Sequence, residues 1–149
     1  MTAQALAVDH AQLAENIVEA ENDHDYERLF SVVHDDVALY RPANAERGAL
    51  RRAAEEMYSA FPDHRRHIER LLPGARFVVV QWRFVGTHLG TWGGIEPTGH
   101  RVVLNGCSIL EFERLRLVGT WCFADTGALL RQLEVAAPTG EPRTLVVVA

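Results

Sequence analysis

Positive charge is the first thing this sequence is short of. Lys and Arg together number 15 against 20 Asp and Glu, a balance of −5 with the histidines neutral. Nucleic acid binding needs a concentrated basic surface. The one basic cluster, "RGALRRAAEE", runs directly into two glutamates, as a solvated helix face does. Nucleic acid is therefore not an expected partner. Cysteine is equally scarce: Cys107 and Cys122 both lie in apolar, strand-like stretches. They read as buried free thiols, which suit a reducing compartment. No apolar run approaches the roughly 20 residues that cross a bilayer. The start, "MTAQALAVDHAQLAEN", has neither the positive flank nor the apolar centre of a signal peptide. A soluble cytoplasmic protein with no membrane partner is expected.

Signatures of the common catalytic devices are missing too. There is no "GxSxG", and neither cysteine has a helix start or basic neighbour to activate it. The glycines of "TWGG" do not open a helix, so no phosphate-binding loop and no nucleotide or flavin cofactor is expected. "HRRH" places His64 and His67 three residues apart. On a strand that spacing points the rings to opposite faces, so the pair cannot share a metal, and no metal site is expected. His10, His24, His34 and His100 fall in helix, loop or turn settings and read as surface residues.

What is present is a core. At 149 residues and 48 % hydrophobic, the chain suits one domain that needs no disulfide or metal to hold it. "AQLAENIVEAEN" sets Leu13, Ile17 and Ala20 on one helical stripe. "DHDYERLFSVVH" carries a second short helix capped by Asp23 or Asp25. "DDVALYRP" is a short strand ended by Pro42, and "ALRRAAEEMYSAF" is a third helix stopped by Pro62. The period then changes to two. "RRHIERLL", "ARFVVVQWRFVGTH", "HRVVLNGCSILEF" and "LRLVGTWCF" read as four strands, too closely spaced to pair other than antiparallel. A final short helix runs from Thr126 to about Leu133. Helices followed by paired strands make an α+β layer fold. The core of the domain runs from about residue 8 to 135, with "AAPTGEPRTLVVVA" (136–149) as a C-terminal tail.

Within this frame two polar residues stand out. His88 ends a strand on the face of Trp82 and Phe84, where it could exchange a proton or simply bond the adjacent loop. Asp125 follows the apolar run "WCFA" and precedes "TGALLRQL". As a helix cap it would accept backbone N–H bonds. As a pocket residue beside Trp121 and Phe123 it would sit desolvated and serve acid–base chemistry. Spacing alone leaves both readings open.

The stretches "AENDHDYERL", "HDDV", "AFPD", "GTHLGTWGGIEPTGHRV" and "WCFADTGALLRQL" resemble, in order, the SnoaL-like polyketide cyclase family of the nuclear transport factor 2-like superfamily. The resemblance implies a conical α+β fold, a curved antiparallel sheet wrapped around the N-terminal helices and enclosing one apolar pocket. It also implies a homodimer packed through the outer sheet faces, and no metal or cofactor. The activity implied is that of a cyclase or dehydratase/cyclase acting on an aromatic polyketide. Asp125 would then be the general acid/base, with His88 and Tyr40 as catalytic partners. Trp82, Trp92, Trp121 and Phe123 would stack on the substrate, and Asn105 and Ser108 would bond its oxygens, although alternation keeps those two from both facing inward. One departure is plain: Ser108 stands where the cyclases carry a histidine. The fold also hosts epoxide hydrolases, isomerases and proteins that only bind a ligand.

Overall fold

A computed structural model describes residues 1–39 and 47–134. Nine elements follow in order: α1 (Ala3–Asn22), α2 (Tyr26–Ser31), β1 (Val33–Leu39), α3 (Arg47–Ala60), β2 (Arg65–Leu72), β3 (Phe77–Thr87), β4 (Arg101–Glu113), β5 (Arg116–Ala124) and α4 (Thr126–Gln132). The expected helices and strands are all there. Helix α1 starts earlier than its apolar periodicity suggests, because the Thr2 hydroxyl accepts the Ala5 N–H and caps it. Its buried stripe is His10, Ala14, Ile17, Val18 and Glu21, so His10 is a core residue and not a surface one. The ring lies on Phe112 at a centroid distance of 4.9 Å.

Strands β2 to β5 pair antiparallel, as their spacing requires, and β1 joins β5 in parallel. The result is an open five-stranded mixed sheet in the order β1-β5-β4-β3-β2, so the antiparallel sheet of the sequence reading gains one parallel strand. Helix α1 packs against β2 and β3. The inner face of the sheet buries Val78, Val80, Trp82 and Phe84 of β3 with Val102, Leu104, Ser108 and Leu110 of β4. The β4–β5 hairpin turns at Arg114 and Leu115, with φ of 48° and 62°. Such primed turns suit the twist of hairpins but favour Gly or Asn, so both residues sit in strained left-handed backbone.

Two side-chain amides close backbone that the ladder leaves open. Asn22 receives the Arg66 N–H at 2.7 Å and donates to the Arg66 carbonyl at 2.9 Å, on edge strand β2. Gln132 does the same for Val103 of β4, with both bonds at 2.8 Å, where β4 runs beyond the end of β5. The tail at 136–149 lies outside the described residues, as does Tyr40. Among the described residues no helix is long and apolar enough to cross a membrane.

Candidate functional site

The inner face carries a line of polar groups that crosses the sheet. Glu21, at the end of the α1 stripe, meets Arg66 of β2 at 2.6 Å, and the two side chains are 3 % and 2 % exposed. The Arg66 guanidinium lies over the Trp82 indole, 4.7 Å from its ring centroid. The Trp82 Nε1–H donates to Ser108 Oγ at 2.9 Å, with both residues fully buried. Trp82 is cross-strand neighbour to Gly106, and any Cβ there would collide with the indole, which explains the glycine. The indole is thus fixed on one face by a cation, at its edge by a hydroxyl, and seated over a glycine. It is a rigid, fully buried ring among both polar and apolar neighbours.

At the end of this line four rings pack nearly in parallel. Tyr58 of α3 lies 4.6 Å from His24 and 5.0 Å from His64, and Phe84 lies 5.6 Å from His64. His24 Nε2 and His64 Nδ1 are 3.2 Å apart, and His64 Nδ1 donates to the Phe61 carbonyl at 3.1 Å. That bond fixes the neutral tautomer of His64 with its proton on Nδ1. Burial, reinforced by the charge of Arg66, pushes the His64 imidazole down to about 4. Burial pushes the Tyr58 phenol up, helped by Glu21 and opposed by Arg66, so it stays a protonated donor.

Of the residues expected to line the pocket, Trp82 and Ser108 are on the inner face. Trp92 is buried in the loop after β3, against Phe61 and bridged to Ile95. Trp121, Phe123 and Asn105 are not on the inner face. Cys122 pairs with Ser108 and Thr120 with Leu110, which puts Thr120 and Cys122 inside and turns Trp121 and Phe123 outward. Alternation on β4 likewise leaves Asn105 exposed.

His88 is fully buried on the Trp82 side, as alternation requires. Its Nδ1 accepts the Thr98 N–H at 3.2 Å, and its backbone bonds Gly99 and His100. It ties the β3–β4 loop to the strand end, and burial lowers its basicity. Asp125 caps α4: its Oδ1 accepts the Ala128 N–H at 2.8 Å. The side chain is 64 % exposed, with Arg131 at 3.8 Å. The expected dry setting among rings is absent, because the strand turns at Asp125 to start the helix and the carboxylate goes to the orphan amides there.

The outer face holds a shallow groove of about 380 Å³ lined by Arg70, Leu72, Val79, Gln81, Asn105 and Phe123, among others. Leu72, Phe77 and Phe123 are 53 %, 43 % and 42 % exposed around it. His64 is buried and His67 exposed, on opposite sides of the chain as the "HRRH" spacing predicts.

Sequence reasoning missed Glu21, Tyr58 and Arg66. A signal for Glu21 exists: it continues the stripe His10, Ala14, Ile17 at helical spacing, which a charged residue rarely does without a partner. Nothing local marks Tyr58.

The same architecture occurs in solved structures. AclR from Streptomyces galilaeus, a proposed hydroxylase, superposes with a TM-score of 0.81 at 21% identity, over 91% of this chain and 87% of that one. TsrD from Streptomyces laurentii gives 0.79 at 24% identity, over 87% and 97%. IdmH from Streptomyces antibioticus, a proposed polyketide cyclase, gives 0.73 at 21% identity, over 83% and 97%. At these identities the likeness is one of fold. No match exists among curated protein sequences. The profile of the SnoaL-like polyketide cyclases matches residues 11–133, and the chain belongs to that family.

Proposed function

We propose that the protein is a cyclase or dehydratase/cyclase that acts on an aromatic polyketide intermediate by acid–base chemistry. The observation that carries this reading is the match of the SnoaL-like polyketide cyclase profile over residues 11–133, beside a rigidly held Trp82 indole on the inner face. Holding a poly-β-ketone folded in a preformed site turns ring closure into an oriented intramolecular step. Asp125 is the proposed proton acceptor. For that its carboxylate must leave Ala128 when substrate binds, and a cap bond is worth only about 1 kcal/mol. The outer sheet face, with its apolar groove, is the proposed contact between two copies of the chain.

Turnover of a synthetic poly-β-ketone ester by the purified protein tests the reading. Asp125→Asn should lower the rate by roughly 10²–10⁴-fold while ligand binding is unchanged. Full activity in that variant would remove Asp125 from the mechanism. A second reading, a ligand-binding protein without catalysis, is favoured by the exposed capping position of Asp125 and by Ser108 in place of a histidine. It predicts tight binding of the product and conversion of no precursor.

A further inference from the structure

The α1–α2 turn and the α3–β2 turn face each other across an open polar cleft of about 300 Å³. Its walls include Asn22, Asp23, Asp63 and Arg65, and both His24 and His64 line it. Tyr58 lies flat against these two imidazoles, with ring planes within 2° and 9° of theirs. The phenol is 6 % exposed, and its hydroxyl is sealed from solvent with no hydrogen-bond partner among the described residues.

A sealed hydroxyl without a partner costs about 1–3 kcal/mol, and few native polar groups stand that way. Phenylalanine would fill the same space and stack on the same rings without this cost. The hydroxyl therefore asks for an explanation that packing does not give. The charges that act on it are those of Glu21 and Arg66, the pair at the end of the polar line on the inner face. His24 and His64, on which the phenol ring lies, both line the cleft. The φ of 54° at His24 belongs to the end of α1, where its N–H bonds the Glu21 carbonyl and the Asp25 N–H bonds that of Ala20. Side chains other than glycine adopt that region rarely, although histidine does so more than most. An unpaired donor thus belongs to a ring stacked on two imidazoles that line an open cleft.

We propose that Tyr58 is a binding residue for a carbonyl or hydroxyl oxygen of the ligand, reached from this cleft when His24 turns aside. The Tyr58 O–H donates to the ligand oxygen, and the Glu21–Arg66 pair beside it supplies a polar surround without net charge. The site suits a neutral oxygen, since Arg66 is matched by Glu21 at 2.6 Å and Arg65 stands by Asp23 at 3.9 Å. This inference rests on the reading of an oxygenated aromatic ligand given above.

Two probes and two variants test it: 1,8-dihydroxyanthraquinone and anthracene, followed by quenching of tryptophan fluorescence, with Tyr58→Phe and His24→Asn. In Tyr58→Phe the dihydroxyanthraquinone should bind about tenfold more weakly, the loss of one hydrogen bond. Anthracene should bind as before, and the melting temperature should stay level or rise. In His24→Asn, which keeps a residue that tolerates the left-handed region, association should be several-fold faster. The site is overturned if Tyr58→Phe binds both probes as the wild type does, which leaves the ligand reading standing. A lower melting temperature for Tyr58→Phe also overturns it, because the hydroxyl then serves the fold. An unchanged association rate in His24→Asn overturns the role of His24 as cover. Wild-type protein that binds neither probe overturns both the site and the ligand reading.

Discussion

Across the thickness of one sheet, each face departs in places from the usual distribution of side chains. The inner face buries Arg66, Ser108, Thr120 and Cys122 around Trp82, while the outer face leaves Leu72, Phe77 and Phe123 in the open. The inner polar groups are tolerable there because they are paired: Glu21 with Arg66, and Trp82 with Ser108. On the outer face Phe77 lies 6.2 Å from Trp121 and under the Arg76 guanidinium at 5.7 Å, yet stays 43 % exposed. Polarity of the isolated residue thus says little about which face it takes. Register decides, and it is fixed by the ladder between β4 and β5.

The inner face is the place to break first. Glu21→Ala leaves the Arg66 charge buried, and the expected loss is about 3–5 kcal/mol in chemical denaturation. Replacing both partners, Glu21→Leu with Arg66→Met, should recover most of it, since two apolar groups of similar volume leave nothing unpaired. A double variant as unstable as the single one would mean that packing and not charge holds this point.

The pH dependence sharpens the same contrast. His64 is held neutral in the fold, at about 4 against an ordinary value of 6.5. Protons therefore bind the unfolded chain more readily. The contribution of His64 is complete above about pH 6.5 and is lost as pH falls towards 4. Melting curves across this window should show a stability slope that His64→Leu flattens. An identical slope in that variant would place the pH response elsewhere.

Smaller effects are expected at the strained and exposed positions. Leu115→Gly should raise stability by about 1 kcal/mol, by relieving a left-handed side chain in the β4–β5 turn. Asp125→Ala should cost about 1 kcal/mol as a lost cap, whatever it does to turnover. Smallest of all, Phe123→Glu on the outer face should leave the unfolding free energy of a single copy within about 0.5 kcal/mol. If the outer face joins two copies, the same change should halve the mass seen in sedimentation. An unaltered mass would separate the exposed rings from self-association.

The sequence made the element order plain because its signals were local. The helical stripe around Ile17, the alternation of β3 and the caps at Asp25 and Asp125 each report on neighbours within a few residues. The cap reading of Asp125 was as visible as the pocket reading, and only the direction of the side chain separates them. Facing on β5 was not legible, since "TWCFA" is apolar in both phases and alternation gives no preferred side. The polar cluster was hidden for a different reason: Glu21, Tyr58 and Arg66 come from three elements that meet only after folding. The parallel pairing of β1 with β5 is likewise non-local, joining Val33 to Leu117.

The amides of Asn22 and Gln132 impose a further rule on assembly. Each occupies the donor and the acceptor of one residue that would otherwise invite a foreign strand. A foreign strand that sought to pair at Arg66 on edge strand β2, or at Val103 where β5 leaves β4 uncovered, would find the hydrogen-bonding positions there already taken.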